Sequence, residues 1–389
     1  LIIPIGNPEA LVMHATFSEE QEEFRRVLRR FLEERSPETE VRRLMETAEG
    51  FDREVWKQAC SELGLAGLHV PEEFGGQGFG FVEFGVALEE CGRALLCAPF
   101  FASAALAAHA VLLGATEAER KEILPAIASG DTIATLAFTE PGGRWDIPSI
   151  ALTAARTSDG WSLDGVKSFV LDGHVADRVV VAARLPGTSG SSGIGLFVVP
   201  GEAAGLERRL LETMDATRKL TRLEFSGVPA EALGEPGEAA AALGRTLDLA
   251  SIALACEMIG GAQKVLEATT EYAKVRVQFG RPIGSFQAIK HRLAELLLEV
   301  ELAKSAAYVA SEAAAADTPE LAALASLAKA CCSDAYRHVA SESIQIHGGG
   351  GFTWENSTHL YFKRARSSEF LLGDPDSHRE RMLAEWGIT

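Results

Sequence analysis

Four short segments carry residue types that could grip a ligand built from an aromatic ring, a sugar and phosphates. In RVQFGRPIGSFQ, residues 276–287, Arg276 ends a long apolar run, with Gln278, Phe279 and Gln287 at fixed offsets. A guanidinium there could bridge a phosphate, and the Gln amides could bind a ribose or an adenine edge. A polar turn between two helices would use the same residues. QIHGGGGF puts Gln345 just ahead of a glycine run that includes Gly348 and Gly349, which permits close backbone approach to a ligand. TEPGG begins at Thr139 after a strand-like run, where loop amides could donate to a ring. VKSFVLDGHVAD sets Phe169 on a strand, where its ring could stack on an aromatic cofactor.

Three blocks of pattern must position these segments. From residue 16 to about 131 the periodicity is helical. FSEEQEEFRRVLRRFLEE has Ser18 as N-cap and acids in its first turn. EVWKQACSELG, FGVALEECGRALL and ASAALAAHAVLLGA give further helices, and PEEFGGQGFG reads as a turn rather than a dinucleotide fingerprint. Over residues 132–230 the runs IATLAF, ALTAARTS, WSLDGVKSFV, DRVVVAARL, IGLFVVP and LTRLEFSGV are short and β-branched, which predicts an antiparallel β domain. GTSGSSG, residues 187–193, reads as a hairpin loop. From 231 to 389 three long apolar-periodic runs and a terminal segment predict a four-helix bundle. Residues 1–15, ahead of and around Met13, read as a loose arm or a non-native extension.

Composition narrows the chemistry. The 389 residues carry a formal net charge of -18, which argues against nucleic acid and anionic membrane as partners but leaves room for an anionic small ligand in a local basic pocket. Hydrophobic content of 47% allows a large core. No run of about 18 apolar residues stands out, so no membrane span is expected. Cys60, Cys91, Cys97, Cys256, Cys331 and Cys332 lack paired spacing and read as buried thiols of a reducing cytoplasm. No Cys/His set has zinc spacing, and His291, His338, His347, His359 and His378 form no metal pattern.

Taken together with LGLAGLHVPEEFGGQG, these segments make the chain resemble the acyl-CoA dehydrogenase family over nearly its whole length. The resemblance implies that family's fold: a helical N-terminal domain, a β middle domain and a C-terminal bundle. It implies FAD and α,β-dehydrogenation of an acyl-CoA thioester in fatty acid or steroid side-chain degradation. A carboxylate takes the α-proton, the flavin accepts a hydride from the β-carbon, and hydrogen bonds to the thioester carbonyl stabilise the enolate. An electron-transfer flavoprotein is the implied acceptor. Carried over by position, Arg276, Gln278 and Phe279 touch the FAD of a neighbouring subunit, with Gln287 nearby. Gln345, Gly348 and Gly349 line its adenine end, and Thr139 and Phe169 flank the flavin within one subunit. A dimer is then the minimum unit, and a homologous subunit, identical or not, is the expected partner.

The chain departs from the family where the chemistry is done. Leu372, in SSEFLLGDPDSH, stands where the family has its catalytic Glu, and Ala250 stands at the alternative position on the first bundle helix. Neither accepts a proton. Asp374, Asp248 and Glu257 are substitute candidates, each also readable as an ordinary helix carboxylate. The usual G-S-D is Arg144, Trp145, Asp146, and the usual W-I-T strand is Phe169, Val170, Leu171. Arg218, in MDATRKL, reads either as a CoA-phosphate ligand or as a sheet-surface arginine. Three functions stay open: one subunit of a heteromeric dehydrogenase whose partner supplies the base, as in some bacterial members acting on steroid side chains; a self-sufficient homo-oligomer using an acid such as Asp374; or a non-dehydrogenating scaffold that binds acyl-CoA or flavin.

Overall fold

The computed structural model describes residues 17–388; the segment read as an arm or extension lies outside them. The first helix, α1 (Glu19–Arg35), starts where the sequence places its cap. Ser18 Oγ accepts from Gln21 N at 3.2 Å while Gln21 Oε1 accepts from Ser18 N at 2.9 Å, so two otherwise free amides are satisfied. α2 (Glu38–Met45), α3 (Arg53–Leu63) and α4 (Phe81–Arg93) follow. The run ASAALAAHAVLLGA departs from a simple α-helix. Its first half, Phe101–Ala108, is wound as a π-helix and continues into α5 (His109–Gly114). α6 (Glu117–Ala128) completes the helical region.

Seven strands make the middle sheet: β1 (Ala134–Ala137), β2 (Thr153–Thr157), β3 (Gly160–Leu171), β4 (Arg178–Arg184), β5 (Ile194–Pro200), β6 (Leu206–Leu211) and β7 (Leu220–Leu233). The order is β1-β4-β2-β3-β7-β5, and pairing of β4 with β5 closes the path on itself. Most pairs are antiparallel, but β1 runs parallel to β4, with Ala134 opposite Arg178. Sequence patterning missed β6. LERRLL buries none of its residues and survives as an edge strand on β7, so it lacks the apolar alternation that marks a half-buried strand.

The bundle is α7 (Ala240–Val275), α8 (Gln287–Ala316), α9 (Leu321–His347) and a fourth member broken into α10 (Thr358–Phe370) and α11 (Pro375–Glu385). A two-residue hairpin pair, β8 (Val277–Gln278) and β9 (Arg281–Pro282), joins α7 to α8. α7 is the most apolar helix of the bundle. It is long and apolar enough by composition to cross a membrane, yet 89% of its most apolar window is buried inside the protein, as befits a core helix. It lies against α4 at very short range. A Cβ on Gly92 would meet Glu257 O at 1.9 Å, and one on Gly260 would meet Glu89 O at 1.8 Å. Only glycine at both positions lets the two helix backbones touch.

Candidate active site

The break between α10 and α11 is the part of the bundle that faces the sheet. Pro375 opens α11, and Leu372 (φ +64°) and Gly373 (φ +107°) turn the chain. Two buried side chains pin the turn. Lys329, on α9, donates from Nζ to Glu369 O (3.1 Å), Gly373 O (2.9 Å) and Ser333 Oγ (3.1 Å). His378 Nε2 bonds Leu372 O at 3.0 Å. Burial pulls Lys329 down to about 7 and His378 down to about 3. The imidazole is therefore neutral, with its proton on Nε2. A non-glycine residue held at positive φ by this much bonding marks a turn whose shape is specified. Its side chain is Leu372, buried and aliphatic.

Leu372 forms the inner end of a groove of about 730 Å³. Its other walls include Phe138, Trp145 and Ile147 from the middle domain, Leu247 and Ser251 from α7, and Asp374 and His378 from the broken helix. Trp145 packs on Phe138 with ring centroids 5.6 Å apart. Charges at the groove are paired: Arg144 with Asp146 at 2.8 Å and Arg381 with Asp248 at 2.5 Å. Arg184 donates to Ile150 O (2.6 Å) and Ser192 O (2.8 Å), tying the 187–193 hairpin to the loop that carries Trp145.

The substitute carboxylates have other work. Asp374 caps α11, accepting from Ser377 N at 2.7 Å, and that bond holds its carboxyl below the ordinary value. That is the wrong direction for a base at neutral pH. Asp248 is spent on Arg381. Glu257 is buried between Arg218 and Arg364, with Arg364 Nη1 at 2.7 Å. Ala250 is fully buried in α7. Arg218 is neither a surface residue nor a phosphate ligand. It is buried, bonded to Glu257, and donates to Ser368 Oγ at 3.2 Å. Burial, only partly offset by Glu257, pulls its pKa below the ordinary arginine value. Burial works against Arg364 too, but Asp215 at 3.0 Å and Glu257 outweigh it and raise its pKa. Because Asn caps a helix as well as Asp does, Asp374→Asn is expected to leave turnover of the assembled enzyme within about twofold. Asp374→Ala is expected to lower unfolding free energy by about 1 kcal/mol. A hundredfold fall in turnover for the Asn variant would return Asp374 to the role of base.

Thr139 and Phe169 do meet, across the β1 loop and β3. A register shift falls between Lys167 and Val170 in the β3–β7 ladder, Phe169 has φ +60°, and Phe169 and Thr139 line one small space. Lys167, which sequence reasoning passed over, is wholly buried and donates to Phe138 O and Glu140 Oε1, both at 2.9 Å. Its inward position on an alternating strand was the available signal. Thr139 Oγ1 is buried without a partner, which suits a flavin heteroatom. The space beside it, which shares Phe138, Trp145 and Leu372 with the groove, is only about 10 Å³, too small for a flavin ring. The ring side of the site thus fits poorly within this chain.

The other named residues gather at the far end of the bundle. Tyr272, near the end of α7, stacks on His347 at the end of α9 with centroids 4.1 Å apart, which sets the 276–287 turn beside the glycine run. Arg276, Gln278, Phe279, Gln287, Gln345, Gly348 and Gly349 are all exposed, Phe279 at 92%. Cβ atoms on Gly348 and Gly349 would meet nothing within 4 Å. None of these residues lines the space beside Thr139 and Phe169. Open amides, a guanidinium without a partner among the described residues and three Gln amides fit the phosphates and adenine of a dinucleotide presented from outside. Among the described residues no cluster of metal-ligating side chains occurs.

Residues 18–131, 135–228 and 240–386 match the N-terminal, middle and C-terminal domains of acyl-CoA dehydrogenases. The chain belongs to the acyl-CoA dehydrogenase family. It is 37% identical to the acyl-CoA dehydrogenase IpdE2 of Mycobacterium tuberculosis over 345 residues, 89% of this chain and 90% of the relative. Among solved structures it is similar to the Tcur3481–Tcur3483 steroid ACAD (31% identity, TM-score 0.86, 95% of this chain and 99% of that one). It is also similar to the ChsE4–ChsE5 complex of M. tuberculosis (27% identity, TM-score 0.86, 97% and 100%). As a member it is an oxidoreductase of acyl-CoA thioesters, and the family's cofactor is FAD.

Proposed function

We propose that this chain is the base-lacking subunit of a heteromeric, FAD-dependent acyl-CoA dehydrogenase. A single contrast carries the reading. The turn around Arg276 is kept and exposed from Arg276 to Pro282, Phe279 at 92%, whereas Leu372 occupies a pinned turn where the base belongs. In the assembly, Arg276, Gln278 and Phe279, with Gln287, Gln345, Gly348 and Gly349, hold the phosphate and adenine end of FAD seated in the partner. FAD supplies the hydride acceptor there. The partner supplies the carboxylate that removes the α-proton, and an electron-transfer flavoprotein takes the electrons. Steroid-derived acyl-CoA is the favoured substrate class, by similarity to the steroid-acting complex.

The test is the visible spectrum of the full chain, alone and co-purified with a homologous subunit that carries the Glu. Alone, the chain is expected to be colourless or to hold flavin that stays oxidised when acyl-CoA is added. The complex is expected to be yellow and to bleach. Bleaching by the chain alone would overturn the proposal.

A further inference from the structure

Resting on the reading just given, we propose that the groove on this chain is a coenzyme A site that ends blind at Leu372, closed to an acyl tail by the buried cluster around Arg218. The groove is roomy outside this point, at about 730 Å³. Two much smaller spaces lie beyond its end. The first, about 10 Å³, shares Phe138, Trp145 and Leu372 with the groove. The second, about 30 Å³, shares Leu171 with the first and is walled by Phe101, Arg218, Glu257 and Arg364. A single water needs roughly 10–15 Å³ on this measure, so the two spaces hold a few waters and no run of methylenes.

Chemistry closes the path as firmly as volume. Ser368 stands four residues before Leu372 and takes a hydrogen bond from Arg218. Behind it Arg218 and Arg364 share Glu257, and Arg364 also holds Asp215. All four charged side chains are buried. An aliphatic tail pushed past Leu372 would have to displace the few waters beside these buried charges and part the ion pairs themselves, which is strongly unfavourable. The groove's mouth is different: Arg144 and its partner Asp146 both lie where solvent reaches them, so Arg144 could leave the aspartate for a phosphate. This chain therefore reads the coenzyme and not the acyl group, and choice among acyl groups falls to the partner.

Calorimetric titration of the full chain, free of partner, with CoA, butyryl-CoA and octanoyl-CoA tests this. The three affinities are expected to agree within about threefold. A tail that entered an apolar channel would gain about fourfold per methylene, on the order of a hundredfold between butyryl and octanoyl. Such a rise would overturn the proposal, and so would failure to bind CoA. Arg218→Ala, which opens volume behind Leu372, is expected to acquire at least a tenfold preference for octanoyl-CoA. Ser368→Ala, which keeps the arginine, is expected to stay flat. A folded Arg218→Ala with a flat series would remove Arg218 from the role. Neither flavin nor turnover enters the readout, so the heteromeric assignment stands or falls separately, by the spectrum.

Discussion

Replacing Arg276 by alanine is expected to strip FAD from the assembled enzyme by tenfold or more while leaving the isolated chain as stable as before. The two halves of this expectation have different physical sources. The Arg276 side chain is exposed, and among the described residues the backbone alone ties the residue in, through Arg276 N to Tyr272 O at 2.9 Å and Ile283 N to Arg276 O at 2.8 Å. Alanine keeps both bonds, and an exposed side chain without partners contributes within about 0.5 kcal/mol to folding. Against a phosphate the same guanidinium makes charge-assisted bonds worth about 1.5–3 kcal/mol, a factor of ten to a hundred in occupancy. Flavin per complex, from absorbance after gel filtration, and the melting temperature of the chain alone are the two readouts. Unchanged flavin would sink the shared-site assignment. A large drop in melting temperature would mean that the turn is structural, contrary to its exposure.

Much of this was legible in the sequence because it depends on local pattern. Ser18 as N-cap, with acids in the turn behind it, announces α1, whereas the terminal segment read as one helix is broken at Gly373 and Pro375. The Arg276 turn was legible because its residues lie close together in the chain. What could not be read depends on partners distant in sequence. Glu257 looks like a free acid on a helix face until Arg218 and Arg364, 39 and 107 residues away, are folded onto it. Lys329 sits in ASLAKACC as one charge in an apolar run. Its role in pinning the turn appears only when α9 meets the end of α10. Trp145 reads as the loss of a loop residue, and only the fold reveals that its ring covers the inner end of the groove.

Leu372→Glu supplies the sharpest separation between a site that merely lost its base and one that lost more. The turn is already shaped for the substitution. Its φ of +64° and its bonds to Lys329 and His378 belong to the backbone and do not depend on the side chain. The new carboxyl would lie among Phe138, Trp145 and Leu371, so burial would raise its pKa and cost about 1–3 kcal/mol of stability. If only the base were missing, restoring it would raise the rate of the chain on its own by orders of magnitude. The expected result is instead a rate within about tenfold of background, measured with butyryl-CoA and octanoyl-CoA on the chain without partner, FAD being added. The space beside Thr139 is too small for the ring, and the charged cluster behind Ser368 admits no tail; a carboxylate repairs neither. Brisk turnover by the variant would mean that both spaces open under ligand and that the chain is one substitution from self-sufficiency. A rate at background, together with a fully active complex, would place the acyl pocket, the flavin ring and the proton transfer in the partner, and would leave this chain the work of binding coenzyme A and the far end of FAD.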